Sequence, residues 1–181
     1  MEYFDALHSI RGQFIQVTEN TQSSDRQISS GTWVLSGDGR FLWTYVSPIE
    51  QRIICDGRLL WIYDPDLEQA TLRSAEQALL ATPLELLRNP RKLEANFNLR
   101  GSIEENGIDW VELSPIQQEV DFERIRVGFH DGELSHLELY DTFGQRTMIQ
   151  FKNIEKNVKV MDSWFHFVAP DGVDVVSETV Q

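Results

Sequence analysis

Apolar and polar side chains alternate along most of this chain, which is the pattern of β-strands with one buried face. Residues 13–18 alternate in this way, and residues 31–35 and 41–45 repeat the pattern on the two sides of a Ser-Gly-Asp-Gly turn. The clearest hairpin spans 51–63, where Asp56-Gly57 separates two apolar runs. Asp-Gly is a favoured two-residue turn because both central positions take positive φ. Residues 69–73 predict a further short strand.

The second half of the chain predicts a series of antiparallel strands. Turns at Asn106-Gly107, Asp131-Gly132 and Phe143-Gly144 separate the candidates, which are 97–103, 108–114, 122–129, 133–140, 145–154 and 163–168. A spacing of about 8–12 residues is typical of β-meanders. Residues 21–30, in contrast, are polar and show no period, so we expect a loop there.

Two segments follow a helical spacing instead. The apolar side chains of residues 1–10 lie three or four positions apart and predict a short amphipathic helix: Tyr3, Phe4, Leu7 and Ile10. Residues 74–93 are rich in leucine but are interrupted by Pro83 and Pro90, so they predict two short helices over about 75–81 and 83–88. About ten strands with few helices favour a large antiparallel sheet that curls and has helices over its open side.

Length and charge restrict the possible functions. The 181 residues fit one domain covering 1–181. There are 29 acidic and 16 basic residues, giving a net charge of −13. Such a surface repels phosphate groups, which argues against nucleic-acid binding and against a polybasic membrane anchor. The apolar runs are only a few residues long, so we expect no membrane-spanning segment.

Candidate catalytic chemistry is sparse. The serine-hydrolase, zinc-protease, P-loop and dinucleotide-binding motifs do not occur, and the four histidines are scattered. The carboxylates of residues 64–68 alternate as Ca²⁺ ligands do, but Pro65 after a strand favours a solvated turn. Cys55, a lone cysteine before a hairpin turn, predicts an inert and partly buried thiol. We therefore expect no enzyme, no cofactor and no metal site.

Aromatic residues are the conspicuous feature, with 5 Trp, 10 Phe and 4 Tyr. Phe41, Trp43 and Tyr45 share one face of a strand, because side chains two positions apart point the same way. Trp33 on the preceding strand and Trp61 two strands further on are candidates for the same surface. Two interpretations remain open. The rings either fill an ordinary sheet core, or line an apolar cavity left under short, proline-interrupted helices.

Residues 41–74 resemble the LolA family of periplasmic lipoprotein carriers. The shared pattern is an aromatic-x-Trp, then a proline, then Asp-Gly and Leu-Trp-x-Tyr-Asp-Pro-Asp-Leu-Glu-Gln, which this chain matches at Phe41, Trp43, Pro48, Asp56-Gly57 and residues 60–69. Further resemblance extends over essentially the whole chain, at Leu7, Ile10, Phe14, Gln16, Thr82-Pro83, Asp141, residues 144–147, Phe165, Phe167, Pro170 and residues 172–175.

The resemblance implies an incomplete antiparallel β-barrel of ten or eleven strands whose mouth is closed by a helical lid. It implies a periplasmic, monomeric carrier that encloses lipoprotein acyl chains and takes lipoproteins from an inner-membrane ABC transporter to an outer-membrane receptor. The transporter supplies the energy. Cavity residues carried over by position are Phe41, Trp43 and Tyr45, with Leu7, Ile10, Leu79 and Leu80 on the covering helices. The N-terminus lacks the basic start and apolar core of a signal peptide, so either the protein is cytosolic or a leader has been removed. The resemblance favours a removed leader and a periplasmic protein.

One departure from the family concerns the lid. Many members have Lys-Arg-Pro where this chain has Ser36-Gly37-Asp38, and that arginine is thought to latch the lid. Gly37 cannot do so, so either the lid closes in a different way or Arg40 substitutes as the latch. The alternative function is that of a periplasmic lipid-binding sensor that regulates a signalling partner, since such proteins share the half-barrel.

Overall fold

The computed structural model describes residues 7–20, 25–75, 96–116 and 122–177, and these form one twelve-stranded sheet. The strands are β1 (Ser9–Asn20), β2 (Arg26–Ser36), β3 (Phe41–Ser47), β4 (Gln51–Cys55), β5 (Leu59–Asp64), β6 (Gln69–Ser74), β7 (Phe97–Glu105), β8 (Ile108–Pro115), β9 (Phe122–His130), β10 (Glu133–Asp141), β11 (Gln145–Lys156) and β12 (Asp174–Ser177). Two short 3₁₀ turns lie at Pro65–Leu67 and Asp162–Phe165.

The strand order is β12-β6-β5-β4-β3-β2-β1-β11-β10-β9-β8-β7. All neighbouring strands are antiparallel except β12, which pairs in parallel with β6. Within the described residues β12 and β7 are the two edges, so this sheet is open. The predicted open, mainly antiparallel sheet is confirmed, with twelve strands where about ten or eleven were expected and with one parallel pair. The helical lid stays a prediction. The predicted helices over 75–81 and 83–88 lie almost entirely outside the described residues, as do positions 1–6 of the predicted N-terminal helix. Its described part, residues 7–10, is not helical.

One face of the sheet carries the hydrophobic core. Directly opposed residues of paired strands point to the same side, and the register places Phe14 opposite Phe151 and Leu35 opposite Phe41. We call this side the inner face. Its buried apolar residues extend from β5 to β8 and include Ile10, Phe14, Trp33, Leu35, Phe41, Trp43, Cys55, Leu60, Leu113, Ile125, Val127, Leu137, Leu139, Ile149 and Phe151. The opposite side is the outer face.

The N-terminal half departs from the sequence predictions at two places. Ile10 belongs to β1 and not to a helix, because it pairs with Leu35 on one side and Lys156 on the other. The spacing that suggested a helix also fits a strand, since Ile10 and Phe14 lie four positions apart and share a face. Residues 26–30, predicted as loop, extend β2 against β1. They are largely exposed, so no apolar alternation marks them.

The C-terminal region departs as well. The predicted strand over 163–168 is wrong: Asp162–Phe165 is a 3₁₀ turn, and the chain that follows it makes no ladder. Phe165 and Phe167 alternate because both pack against the sheet, and such alternation reports burial and not strand pairing. Conversely, β12 was not predicted, because all four of its residues are exposed.

The tight turns are mostly as predicted, with one change of detail. Asn106, Gly107, Asp131 and Gly132 all take positive φ between their strands. In the β4–β5 hairpin the Asp56 N–H donates to the Leu59 carbonyl, so the central residues are Gly57 and Arg58. Only Gly57 of that pair has positive φ, at 100°.

Candidate functional site

The inner face is organised around a cluster of aromatic rings from four strands. Phe14 stacks on Trp43 with ring centroids 4.2 Å apart, and the ring of Tyr45 meets Phe14 edge-on at 5.3 Å. Trp33 lies 5.1 Å from Phe151 and 6.3 Å from Trp43. Trp33 is 3% exposed and Trp43 is 2% exposed. The rings therefore pack against one another, and aromatic pairs at such spacings add to the free energy gained by burial alone.

The sequence lets these rings meet by placing glycine in the strand between them. Gly31 of β2 lies opposite Phe14 of β1 and Tyr45 of β3. A Cβ at this position would come within 1.8 Å of the Thr44 carbonyl oxygen and 2.9 Å of the Phe14 ring. A side chain here would separate β2 from β3 and block the approach of Phe14 to Trp43. Close backbone approach is the usual reason for a glycine inside a strand.

Most of the predicted cavity residues that the structure describes come together. Ile10, Trp33, Phe41 and Trp43 are buried members of the inner-face cluster, while Leu7 and Tyr45 are partly buried against it. Leu79 and Leu80 lie outside the described residues.

Trp61 does not join this set. Its ring packs on Phe167 with centroids 5.1 Å apart, on the outer face. Its neighbours Leu60 and Ile62 point to the inner side instead and pack in the cluster. Sequence reasoning also missed the contribution of the second half of the chain, where Ile125, Leu137, Ile149 and Phe151 complete the same face. The alternation in those segments was visible, but nothing local indicated which strands they join.

A cavity of about 440 Å³ opens where the inner face changes from apolar to polar. Its polar lining from the strands is Gln16, Gln27, Ser29, Tyr45, Gln51 and Asp64, and its remaining lining is Pro48, Ile49, Glu50, Asp66 and Leu67. We call it the rim cavity. The Tyr45 hydroxyl donates to Gln16 Oε1 at 3.1 Å, and Gln51 Nε2 donates to Asp64 Oδ1 at 2.6 Å. Burial raises the pKa of Tyr45, partly offset by the Trp43 indole and the Gln16 amide, so the phenol stays protonated.

Arg40, the predicted lid latch, contacts the C-terminal segment. Its Nη1 bonds Asp162 at 2.8 Å and its Nε bonds Asp38 at 2.8 Å. The guanidinium also lies 4.9 Å above the ring of Phe165, which is fully buried. These contacts hold the Asp162–Phe165 turn against β3. A contact of Arg40 with the expected helical lid stays a prediction.

The outer face of β8–β11 carries a buried charge network. Glu138 is 2% exposed, and its carboxylate accepts from Arg146 at 2.6 Å, Tyr140 at 3.0 Å and Arg126 at 3.2 Å. Burial alone would raise the pKa of Glu138, but the bonds from Arg146 and Tyr140 and the two arginine charges hold its pKa below the ordinary value. Arg126 also lies 4.5 Å over the ring of Trp110. Several fixed partners make this a structural network.

The candidate metal ligands and the single cysteine can be located in the described residues. Residues 7–20, 25–75, 96–116 and 122–177 contain no group of three or more His, Cys, Asp or Glu side chains able to hold a metal ion. The candidate Ca²⁺ segment is a 3₁₀ turn at Pro65–Leu67 that ends with Glu68 at φ 49°. Cys55 is fully buried, more than the sequence predicted. None of the helices in these same ranges has the length and hydropathy needed to cross a membrane.

One open, mainly antiparallel sheet with its central aromatic cluster on one face defines a mainly-β, single-sheet protein. The family follows from comparison with known proteins. The model of the family described as "Outer membrane lipoprotein carrier protein LolA" matches residues 5–168, so the chain belongs to the LolA family. The resemblance found in the sequence is thereby confirmed.

Curated relatives carry the same description over nearly the whole chain. The chain is 40% identical over 173 residues to an outer-membrane lipoprotein carrier protein of Ralstonia nicotianae, covering 93% of this chain and 80% of that protein. It is 37% identical over 177 residues to the protein of that name from Dechloromonas aromatica, covering 98% and 85%.

Solved structures of much lower identity share the fold. An uncharacterised conserved protein of Thermus thermophilus has a TM-score of 0.58 at 9% identity and covers 98% of both chains. A LolA superfamily protein from Nitrosomonas europaea has a TM-score of 0.51 at 13% identity and covers 90% of this chain and 91% of its own. At these identities the similarity concerns the fold alone.

Proposed function

We propose that this protein is an outer-membrane lipoprotein carrier that holds the acyl chains of its cargo against the inner face. The observation that carries the proposal is the single continuous apolar face, with Phe14, Trp33, Phe41 and Trp43 at its centre. Acyl chains need such a face because each CH₂ group costs about 0.8 kcal/mol to leave in water. The relatives named as carriers support the same function.

Reversible binding follows from the packing of the aromatic cluster. Phe14, Trp33, Trp43 and Phe151 contact one another directly. An entering acyl chain therefore replaces ring–ring contacts with ring–chain contacts, and only part of its transfer free energy appears as affinity. The residues at the centre of the described inner face are apolar, so they offer no ion pair to a ligand. A carrier that must later release its cargo benefits from both properties.

The wider cycle is carried over from the family. In this proposal the protein works in the periplasm as one domain, receives lipoproteins from an inner-membrane ABC transporter and delivers them to an outer-membrane receptor. Short helices act as a lid, with Leu79 and Leu80 facing the acyl chains. Leu7 contributes from the non-helical segment before β1. A lipid-binding regulator remains the alternative in principle, but it is not favoured because the curated relatives are named as carriers.

Binding of a brominated lipopeptide tests where the acyl chains lie. Bromine on the acyl chains quenches tryptophan fluorescence only at short range, and Trp33 and Trp43 lie on the inner face whereas Trp61 packs on Phe167 outside. We expect a triacylated, brominated lipopeptide to quench the wild-type protein and the Trp61→Phe variant, but not the Trp33→Phe/Trp43→Phe double variant.

Native mass spectrometry of the same samples supplies the stoichiometry and the control. One lipopeptide should bind per chain, and the unacylated peptide should not bind. Equal binding of the unacylated peptide, or full quenching in the double variant, would contradict the proposal. Phenylalanine keeps both positions apolar and aromatic, so the double variant is expected to fold.

A further inference from the structure

We propose that the rim cavity binds the first residues of the cargo polypeptide, next to its acyl chains, and that it disfavours acidic residues there. This inference rests on the proposed carrier function and adds a second, polar subsite to it. The subsite consists of Gln16, Tyr45, Gln51 and Asp64 on four strands of the same half of the sheet, with Asp66 beyond them.

The position of the cavity is the first argument. Along β1 the inner face changes from Phe14 to Gln16, and along β4 it changes from Ile53 to Gln51. Along β5 it changes from Ile62 to Asp64 in the same direction. The strands pair so that these changes fall at one end of the sheet. A ligand that lies across this boundary must be apolar on one side and polar on the other, as an acylated polypeptide is.

Tyr45 joins the two regions physically. Its ring packs edge-on against Phe14 in the aromatic cluster, while its hydroxyl reaches Gln16 in the rim cavity. The volume of about 440 Å³ is within the usual range for a small-ligand pocket and suits a few residues of extended peptide. The acyl subsite and the rim cavity are therefore continuous on the same face.

The hydrogen-bonding groups suit a peptide backbone. A peptide unit offers one donor and one acceptor, and a glutamine side chain offers the complementary pair. Gln51 donates one amide hydrogen to Asp64, and within the described part of the chain its side-chain oxygen accepts no bond. Gln16 accepts from Tyr45, and among the described residues its nitrogen donates one long bond of 3.4 Å to Thr18. Both amides keep capacity for a ligand.

Charge provides the selectivity. The described lining of the rim cavity contains Glu50, Asp64 and Asp66, with neither Lys nor Arg among the lining residues. Glu50 is paired with Arg52 at 2.8 Å, which leaves the two aspartates as the effective charges. Asp64 and Asp66 repel carboxylates of a cargo that lies in the cavity and attract its ammonium groups, most strongly at low salt. The net charge of −13 also repels acidic cargo, wherever the cargo binds. The experiment must therefore separate the effect of Asp64 and Asp66 from the effect of the net charge.

The test uses three triacylated lipopeptides with the same lipid part, followed by four lysines, four serines or four glutamates. We expect the lysine form to bind about tenfold tighter than the glutamate form at low salt, with a smaller ratio at high salt. The Asp64→Asn/Asp66→Asn variant should bring this ratio to about threefold or less. Asparagine keeps the size of both side chains and the acceptor for Gln51, so the fold is retained.

A matched control keeps the net charge equal. The Asp109→Asn/Asp131→Asn variant removes two exposed carboxylates elsewhere on the sheet and should keep the wild-type ratio. In addition, Gln16→Leu/Gln51→Leu should weaken the serine lipopeptide about fivefold while the uncharged acyl probe monopalmitoylglycerol binds as before.

The outcomes separate this inference from the carrier function. If no lipopeptide and no monopalmitoylglycerol binds the wild-type protein, the carrier function itself fails. If all three lipopeptides bind equally, the carrier function stands and the rim subsite is wrong. The same holds if Asp64→Asn/Asp66→Asn and Asp109→Asn/Asp131→Asn lower the lysine-to-glutamate affinity ratio to the same extent. A lower ratio only in Asp64→Asn/Asp66→Asn, with selective loss in the glutamine variant, supports the subsite.

Discussion

Phe14 of β1 stacks on Trp43 of β3 across the intervening strand β2, with ring centroids 4.2 Å apart and planes inclined by 29°. The contact is possible because Gly31 of β2 has no side chain between them. The aromatic cluster that we propose to hold acyl chains is therefore organised by a glycine as much as by its rings.

Gly31→Ala should strongly destabilise the protein. The new Cβ would lie 1.8 Å from the Thr44 carbonyl oxygen, which is backbone and cannot rotate away, so β2 and β3 must separate locally. We expect a loss of at least about 3 kcal/mol in the free energy of unfolding, measured by urea denaturation, or no soluble protein at all. Ser30→Ala, the neighbouring position on β2, is the control and should change stability by less than about 0.5 kcal/mol.

Arg40→Ala should loosen the C-terminal segment. The variant removes the bonds to Asp162 and Asp38 and the contact with the Phe165 ring. We expect a loss of about 1–2 kcal/mol in the free energy of unfolding and faster hydrogen exchange in residues 162–167. Arg52→Ala removes a comparable 2.8 Å ion pair with Glu50 that is more exposed. Equal effects of the two variants would count against a clamping role for Arg40.

The same variant also tests the lid. If Arg40 latches a helical lid, Arg40→Ala should speed hydrogen exchange in residues 76–95 and change the rate of lipopeptide uptake. Unchanged exchange and unchanged uptake would show that Arg40 holds only the C-terminal segment.

Glu138 should make the protein sensitive to acid. Its folded-state pKa lies below the ordinary value of 4.5, because Arg146, Tyr140 and Arg126 favour the ionised form despite burial. The stability that it contributes is therefore fully present above that value and is lost as the pH falls through the folded pKa. Glu138→Gln should cost about 2 kcal/mol at neutral pH and progressively less in acid. Glu112→Gln, which removes a looser 3.7 Å pair with Arg124, is the control.

His136 should cause a further loss of stability on acidification, at a higher pH than Glu138 does. Burial lowers its pKa below 6.5, with partial opposition from Glu138, so the folded state prefers the neutral ring. As the pH falls below 6.5, the unfolded chain binds the proton before the folded protein does. The free energy of unfolding therefore decreases from that pH down to the folded-state pKa. A stability profile against pH should therefore show two declines, and His136→Gln should remove only the first. A single decline in both proteins would contradict this assignment.

Cys55 should be inaccessible until the protein unfolds. The side chain is fully buried between β3 and β5 on the inner face, where Phe41 and Leu60 pair with it. We expect labelling by a thiol reagent to follow global unfolding, at a rate that urea increases and bound lipopeptide decreases. Fast labelling of the native protein, well above the unfolding rate, would show that the inner face opens locally in this region.

Much of the sheet could be predicted from the sequence because strand alternation is a local property. The side chains of Phe41, Trp43 and Tyr45 share a face wherever the strand is placed, and turns such as Asn106-Gly107 follow from the residues that tolerate positive φ. The strand predictions were wrong where a residue is paired without being buried, or buried without being paired. Residues 26–30 and β12 pair without being buried, whereas Phe165 and Phe167 are packed without belonging to a strand.

The candidate site also has a part that the sequence determined and a part that only the tertiary structure decided. The sequence alone determined that an apolar face with Trp33, Phe41 and Trp43 exists, because a period of two residues specifies a face within each strand. Only the tertiary structure decided that Trp61 points to the outer face, that Phe151 meets Trp33, and that Gln16, Gln51 and Asp64 surround one cavity. These relationships depend on the register between strands, and register is set by long-range pairing such as that of β1 with β11, which neighbouring residues in the chain do not encode.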